Sequence, residues 1–251
     1  MLKYLNAELF KVSKRKYPYI FLLVMLALIG VMFIGTCSNT GNAVQLGFSD
    51  MVSVLVMCLS VAVYMVIVPC DIAFSEQYKY NTLKNEVAYG LPRTRIYLGK
   101  LLTALATAVV LCAVMILFFL GLTLLLFPKT GIAEGLSMLG GALAVGLPTW
   151  IGSVGLFIML SFVFRGATAA TVIYVCVVGV LPGVLNMVGM MLPKLERVTS
   201  ALYACLLTAP FDTVYSSAAG PNIPYGWIVG MAWFVVATVV GLVVFRKREI
   251  N

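Results

Sequence analysis

The 251-residue chain is 62% hydrophobic and only 10% charged, with a formal net charge of +8. Soluble domains carry about a quarter charged residues, so this composition excludes a soluble globule, which would need more polar side chains to cover it. The basic excess lies beside apolar runs long enough to cross a bilayer, where it serves orientation and headgroup anchoring, so nucleic-acid binding is not expected.

The apolar runs are continuous rather than alternating, which predicts an all-α integral membrane protein and not a barrel. Residues 1–16 come first. Leu2, Leu5, Leu9 and Val12 recur at helical spacing, with Lys3, Lys11 and Lys14 opposite. The pattern predicts an amphipathic helix in the headgroup plane, anchored by Lys3, Lys11, Lys14 and Arg15. Six spans come after it: Tyr19 to Gly35, Met51 to Cys70, Leu101 to Phe127, Leu136 to Phe164 broken by Pro148, Thr168 to Leu192 containing Pro182, and Tyr225 to Phe245. The first apolar run is too long for a signal-peptide core, and cleavage after it is not expected. Gly179-x-x-x-Gly183 and Gly226-x-x-x-Gly230 are candidate close-packing faces.

Fourteen of the 17 basic residues fall in four segments on one side of these spans; Lys129, Lys194 and Arg197 fall on the other. The positive-inside rule then puts both termini in the cytoplasm of a multi-pass protein. Residues 193–224 lie outside. Their stretch "VTSALYACLLTA" is apolar but about a dozen residues long, which predicts a re-entrant or interfacial helix. Pro210, Gly220, Pro221 and Pro224 interrupt the remainder of that external segment.

Much chemistry is absent. The chain has no histidine, and its six cysteines form no C-x-x-C pair, so neither a metal site nor a disulfide framework is legible. It has no G-x-S-x-G, H-E-x-x-H or phosphate-cradling P-loop, and the spans are nearly free of carboxylates, which disfavours an ion-coupled carrier. The chain is not expected to be an enzyme by itself or to hold a cofactor. Any energy for transport must come from another chain.

One dense charged segment stands out, "AFSEQYKYNTLKNEVAYGLPRTRIYLGK" from Ala73 to Lys100. Tyr80, Leu83 and Val87 recur at helical spacing, and Gly90 with Pro92 stops the helix. A cytoplasmic helix over 74–89 is predicted after a second span that ends near Pro69 and Asp71. It carries charges of both signs, as a protein-docking face would.

The residues here resemble a family. Phe74-x-Glu76-Gln77, Asn81-Thr82-Leu83-Lys84 and "GLPRTRIYLGKLL", together with the opening "MLKYLNAELFKVSKRKYPY", are similar to the ABC-2 type permeases, with Asn81 where that family usually has glycine. The resemblance implies a single permease domain over 1–251, the membrane subunit of a bacterial exporter in the cytoplasmic membrane. It implies a partner ATPase carrying ATP and magnesium, present in two copies, and a second permease, either the same chain or a paralogue. The helix at 74–89 would be the coupling helix, with Phe74, Glu76, Gln77, Tyr80, Thr82, Leu83, Lys84 and Glu86 meeting the ATPase. The second and fifth spans would line the pathway, through Met51, Leu55, Leu59, Asn186, Met187 and Met190. Methionine-rich surfaces suit hydrophobic or amphipathic cargo such as a peptide, antimicrobial or drug. The alternative is a non-transporting membrane immunity or sensor protein that binds a peptide.

Overall fold

The computed structural model describes residues 2–39, 46–79, 86, 88, 90–164, 166–216 and 221–247. Among them every regular element is helical. Helix α1 (Leu2–Ser13) is amphipathic and leads into α2 (Tyr17–Asn39). Then come α3 (Phe48–Leu59), the one-turn α4 (Ala62–Met65) and α5 (Ile67–Lys79). The long helices α6 (Arg93–Leu126) and α7 (Ile132–Phe164) are next. The fifth run consists of α8 (Ala167–Val175), a π-helical turn Cys176–Val180 and α9 (Leu181–Met191). Two short helices, α10 (Glu196–Ala204) and α11 (Ala209–Ser216), precede the last long one, α12 (Ile223–Lys247).

Five runs are long and apolar enough to cross a membrane, and a sixth forms if the pair Phe48–Leu59 and Ala62–Phe74, bent by 50°, is one span. The predicted second span is therefore not straight. Around its break the amides of Val61 and Tyr64 bond to the carbonyls of Cys58 and Val61, the tighter i to i+3 pattern of a bend. Beyond the bend α5 continues through Pro69 and Asp71 to Lys79, so the helix is not interrupted where the second span was expected to end. Pro69 sits in the first turn of α5, where no amide donor is required. Residues 80–85, 87 and 89 of the predicted coupling helix lie outside the described residues.

The centre of the bundle is α7, most of which is buried. It runs unbroken through Pro148, whereas the sequence suggested a break there. The backbone of α12 lies directly against this point: a Cβ at Gly230 would collide with the Pro148 carbonyl carbon, and one at Gly226 would come within 2.8 Å of the Val145 carbonyl oxygen. The Gly226/Gly230 pair is thus an intramolecular packing face of the small-residue kind. Gly179 faces the Tyr64 ring, while Gly183 opens onto space.

Pro182 explains the π-helical turn before it. Lacking an N–H, it cannot donate to the Val178 carbonyl four residues earlier. The Tyr64 hydroxyl, from α4, donates to that carbonyl at 3.3 Å, and the buried Tyr174 returns the bond to the Val63 carbonyl at 2.7 Å. Two irregular spans are cross-tied where each is irregular.

Candidate functional site at the basic end of the bundle

The two ends of the bundle differ in charge. At one end Arg15 of the α1–α2 turn donates to the Ile72 carbonyl at 2.6 Å, and Arg93 donates to the Phe245 and Arg246 carbonyls that finish α12. Cationic donors on the last carbonyls of a helix oppose its dipole favourably. Phe162 joins the same end from α7, edge-to-face with Phe74 and tilted against Tyr97 and Phe245. The other end carries Lys129, with the α3 amides of Phe48 and Ser49 bonded to the Pro128 and Thr130 carbonyls.

Helix α6 has 34 residues, about 51 Å at roughly 1.5 Å per residue, against a hydrocarbon core of about 30 Å. Its first turns therefore extend past the core, and Lys100 sits near that boundary. The Lys100 side chain is wholly buried and pairs with the Glu8 carboxylate of α1. Glu8 also takes Lys11 at 2.7 Å. The mostly buried Glu86 completes the group: its Oε1 lies 3.7 Å from Lys100 and 3.8 Å from Lys11, and its Oε2 accepts the Tyr4 hydroxyl at 2.9 Å. The Tyr4 ring covers Lys100 at 5.8 Å and lies against Gly99, where any Cβ would collide with it. Glycine at 99 is what lets α1 approach α6 this closely.

Two carboxylates thus face two ammonium groups and a phenol in a largely buried site. Burial alone would raise the Glu8 carboxyl, but Lys100 and Lys11 outweigh it and hold Glu8 below its ordinary range. Burial and the two carboxylates push Tyr4 upward, so it remains a donor. Nothing in this set is a nucleophile beside a base. Its chemistry is mechanical: it joins α1, the connecting segment at Glu86 and the head of α6 into one unit.

Sequence reasoning missed Glu8 and Lys100 as a pair. The signal was present: Glu8 lies three residues after Leu5 and four before Val12, on the apolar face of α1 rather than its basic one. An acid on a buried stripe requires a buried base.

The other predicted residues scatter. Phe74, expected at a subunit surface, is wholly buried against Phe162, with centroids 4.6 Å apart. Glu76 and Gln77 lie within α5; Tyr80, Thr82, Leu83 and Lys84 lie outside the described residues. Lys3 is exposed on α1 and Lys14 in the turn just after it, where it sits over the Phe10 ring. Met51, Leu55 and Leu59 are buried in the core, while Asn186 is exposed and Met187 and Met190 are 56% and 85% exposed on α9. The structure does not bring these two triplets together. No group of potential metal ligands occurs among the described residues.

The fold and this end define a helical integral membrane protein with a packed ionic joint at its basic face. Residues 4–183 match the family described as ABC-2 family transporter protein, and the chain belongs to that family. It is by that membership the membrane component of an ABC transporter, and its ATP-binding partner is a separate subunit. Among curated proteins, none matches the sequence significantly.

Proposed function

We propose that this chain is one permease of an exporter that moves a hydrophobic or amphipathic substrate out of the cytoplasm or inner leaflet. Two permeases pair, and two copies of the ATP-binding subunit drive them. The basic end faces the cytoplasm, as the positive-inside rule requires, with the described parts of both termini there. The whole chain acts as one permease domain: residues 1–16 as the interfacial helix, 74–89 as the coupling helix and 193–224 as the external segment.

The buried joint of Glu8, Lys100, Glu86, Lys11 and Tyr4 is the observation that supports this reading. A force applied by an ATPase at residues 74–89 needs a stiff path into the spans. Glu86 belongs to that segment and Lys100 to the head of a span, and both share the counter-charges of α1. Breaking a buried ion set costs about 3–5 kcal/mol, enough to hold these parts together through a power stroke.

The test is reconstitution of the full chain with its ATP-binding subunit in proteoliposomes. The permease should raise or gate ATP hydrolysis, and Glu76→Lys with Lys84→Glu should weaken the complex at least tenfold while the permease stays folded. Hydrolysis that is the same with and without the permease, and a complex indifferent to both reversals, would overturn the assignment.

A further inference from the structure

The segment between α9 and α12 reaches far into the bundle. A Cβ at Gly146 would come within 3.2 Å of the Phe211 ring, and one at Gly152 within 3.0 Å of Leu207. Gly152 stands about 30 Å along α7 from Ile132, at roughly 1.5 Å per residue. Leu206, Leu207, Ala209 and Phe211 are buried there. This is irregular backbone at membrane depth, where each free carbonyl is costly. Helix α12 supplies the donors: the Tyr225 hydroxyl bonds to the Ala204 carbonyl at 2.5 Å and Trp233 Nε1 to the Cys205 carbonyl at 2.7 Å.

A groove of about 510 Å³ lies between this turn and α12, lined by Cys205, Ile228, Val229, Ala232, Trp233 and Val236 among others. Its size is that of a ligand site, whereas two apolar voids beside the bend of the second span hold only about 30 and 20 Å³. The polar atoms of Tyr225 and Trp233 are spent on the carbonyls, so the walls offer an occupant only apolar surface. Apolar cavities do not hold water. The groove also continues the exposed apolar face of α12, formed by Ile228, Val235, Val236, Val239 and Val240, which is the face a bilayer covers.

We propose that this groove is a binding site for one acyl chain of a membrane lipid, which packs against the Ala204–Cys205 turn and fixes the inserted segment against the last span. The inference stands on the membrane reading and is independent of the ATPase.

The test uses the full-length chain in nanodiscs containing phosphatidylcholine brominated at mid-chain. Trp150→Phe with Trp227→Phe leaves Trp233 as the reporter, and Trp150→Phe with Trp233→Phe leaves Trp227, which is exposed on the same helix, as the control for bulk lipid. Trp233 emission should fall at least twofold and saturate at a lower brominated fraction than Trp227. Adding Ala232→Phe to the Trp233 reporter should restore the emission, and adding it to the Trp227 reporter should leave that signal unchanged; Val236→Phe serves the same purpose if the first variant does not fold. Quenching of Trp233 by aqueous iodide instead would mean a water-filled groove. Insensitivity to both quenchers in a dimeric particle would mean that a second copy covers it. Quenching in step with Trp227 and indifferent to filling would mean ordinary bulk lipid. Any of these three results overturns the proposal.

Discussion

Two regions of this bundle face the same problem, polar groups against an oily interior, and meet it differently. The basic end uses full charges: Lys100 and Lys11 against Glu8 and Glu86, with Arg15 and Arg93 on helix carbonyls. The inserted turn, at membrane depth, is held by neutral donors, a phenol and an indole on its carbonyls. Ionised pairs in a buried site are stiff, but they depend on every partner keeping its charge. Neutral donors hold more weakly and are indifferent to pH. A part that must transmit force fits the first device, and a part that must yield or reseat fits the second.

The largest expected break in this comparison is Lys100→Met. It leaves two carboxylates facing Lys11 alone in a buried site, which costs about 3–5 kcal/mol. The thermal transition of the protein in detergent should fall sharply, and α1 should become sensitive to limited proteolysis. Combining it with Glu8→Gln should cost less than the sum of the two changes, because each removes the other's unpaired charge. At the inserted turn, Trp233→Phe strands one carbonyl at membrane depth, for about 1–3 kcal/mol. Its signature should be greater proteolysis near residues 204–208 with α1 still protected.

Acid should separate the two regions without any substitution. The Glu8 carboxyl is held below its ordinary range, so the stability it contributes is complete above about pH 4.5 and disappears as the pH falls through its lowered value. Between pH 7 and pH 5 the thermal transition should be flat in this respect; below pH 4.5 it should drop, and α1 should be released first. Glu8→Gln should remove that acid sensitivity. Tyr203, pushed up to about 12 by burial and by its bond to the Asp212 carboxylate, stays a protonated donor throughout, so the other region should not respond through it.

Helical class was legible because apolar runs need only be counted, five of the six predicted spans are single long runs, and α7 and α12 appear within a few residues of their predicted bounds; the second span is a pair of helices bent by 50°. Irregularity was less legible. Pro148 read as a break and Pro182 as an ordinary interior proline, yet the first sits in an unbroken helix beneath Gly230 and the second comes just after a π-helical turn. A proline states which hydrogen bond is lost; only the neighbouring helix decides what replaces it. The joint was half legible. Glu86 and Lys11 drew notice as charges, but their partners Glu8 and Lys100 are 92 residues apart in sequence, and no local pattern links them.

The smallest effect expected is the most specific. Pro182 leaves the Val178 carbonyl without its i to i−4 donor, and the Tyr64 hydroxyl reaches it from the bent second span. Hydrogen bonds between membrane helices average about 0.6 kcal/mol by double-mutant cycles, so Tyr64→Phe should lower stability by about that amount. Pro182→Ala returns an amide donor to the same carbonyl. In that background the hydroxyl has nothing left to replace, and Tyr64→Phe should become neutral. Tyr174→Phe, which removes the bond to Val63 instead, should cost the same whether residue 182 is proline or alanine. A thermal double-mutant cycle over the three positions reads both couplings. If Tyr64→Phe costs the same in both backgrounds, the cross-tie is a contact between two spans and not the repair of a broken ladder.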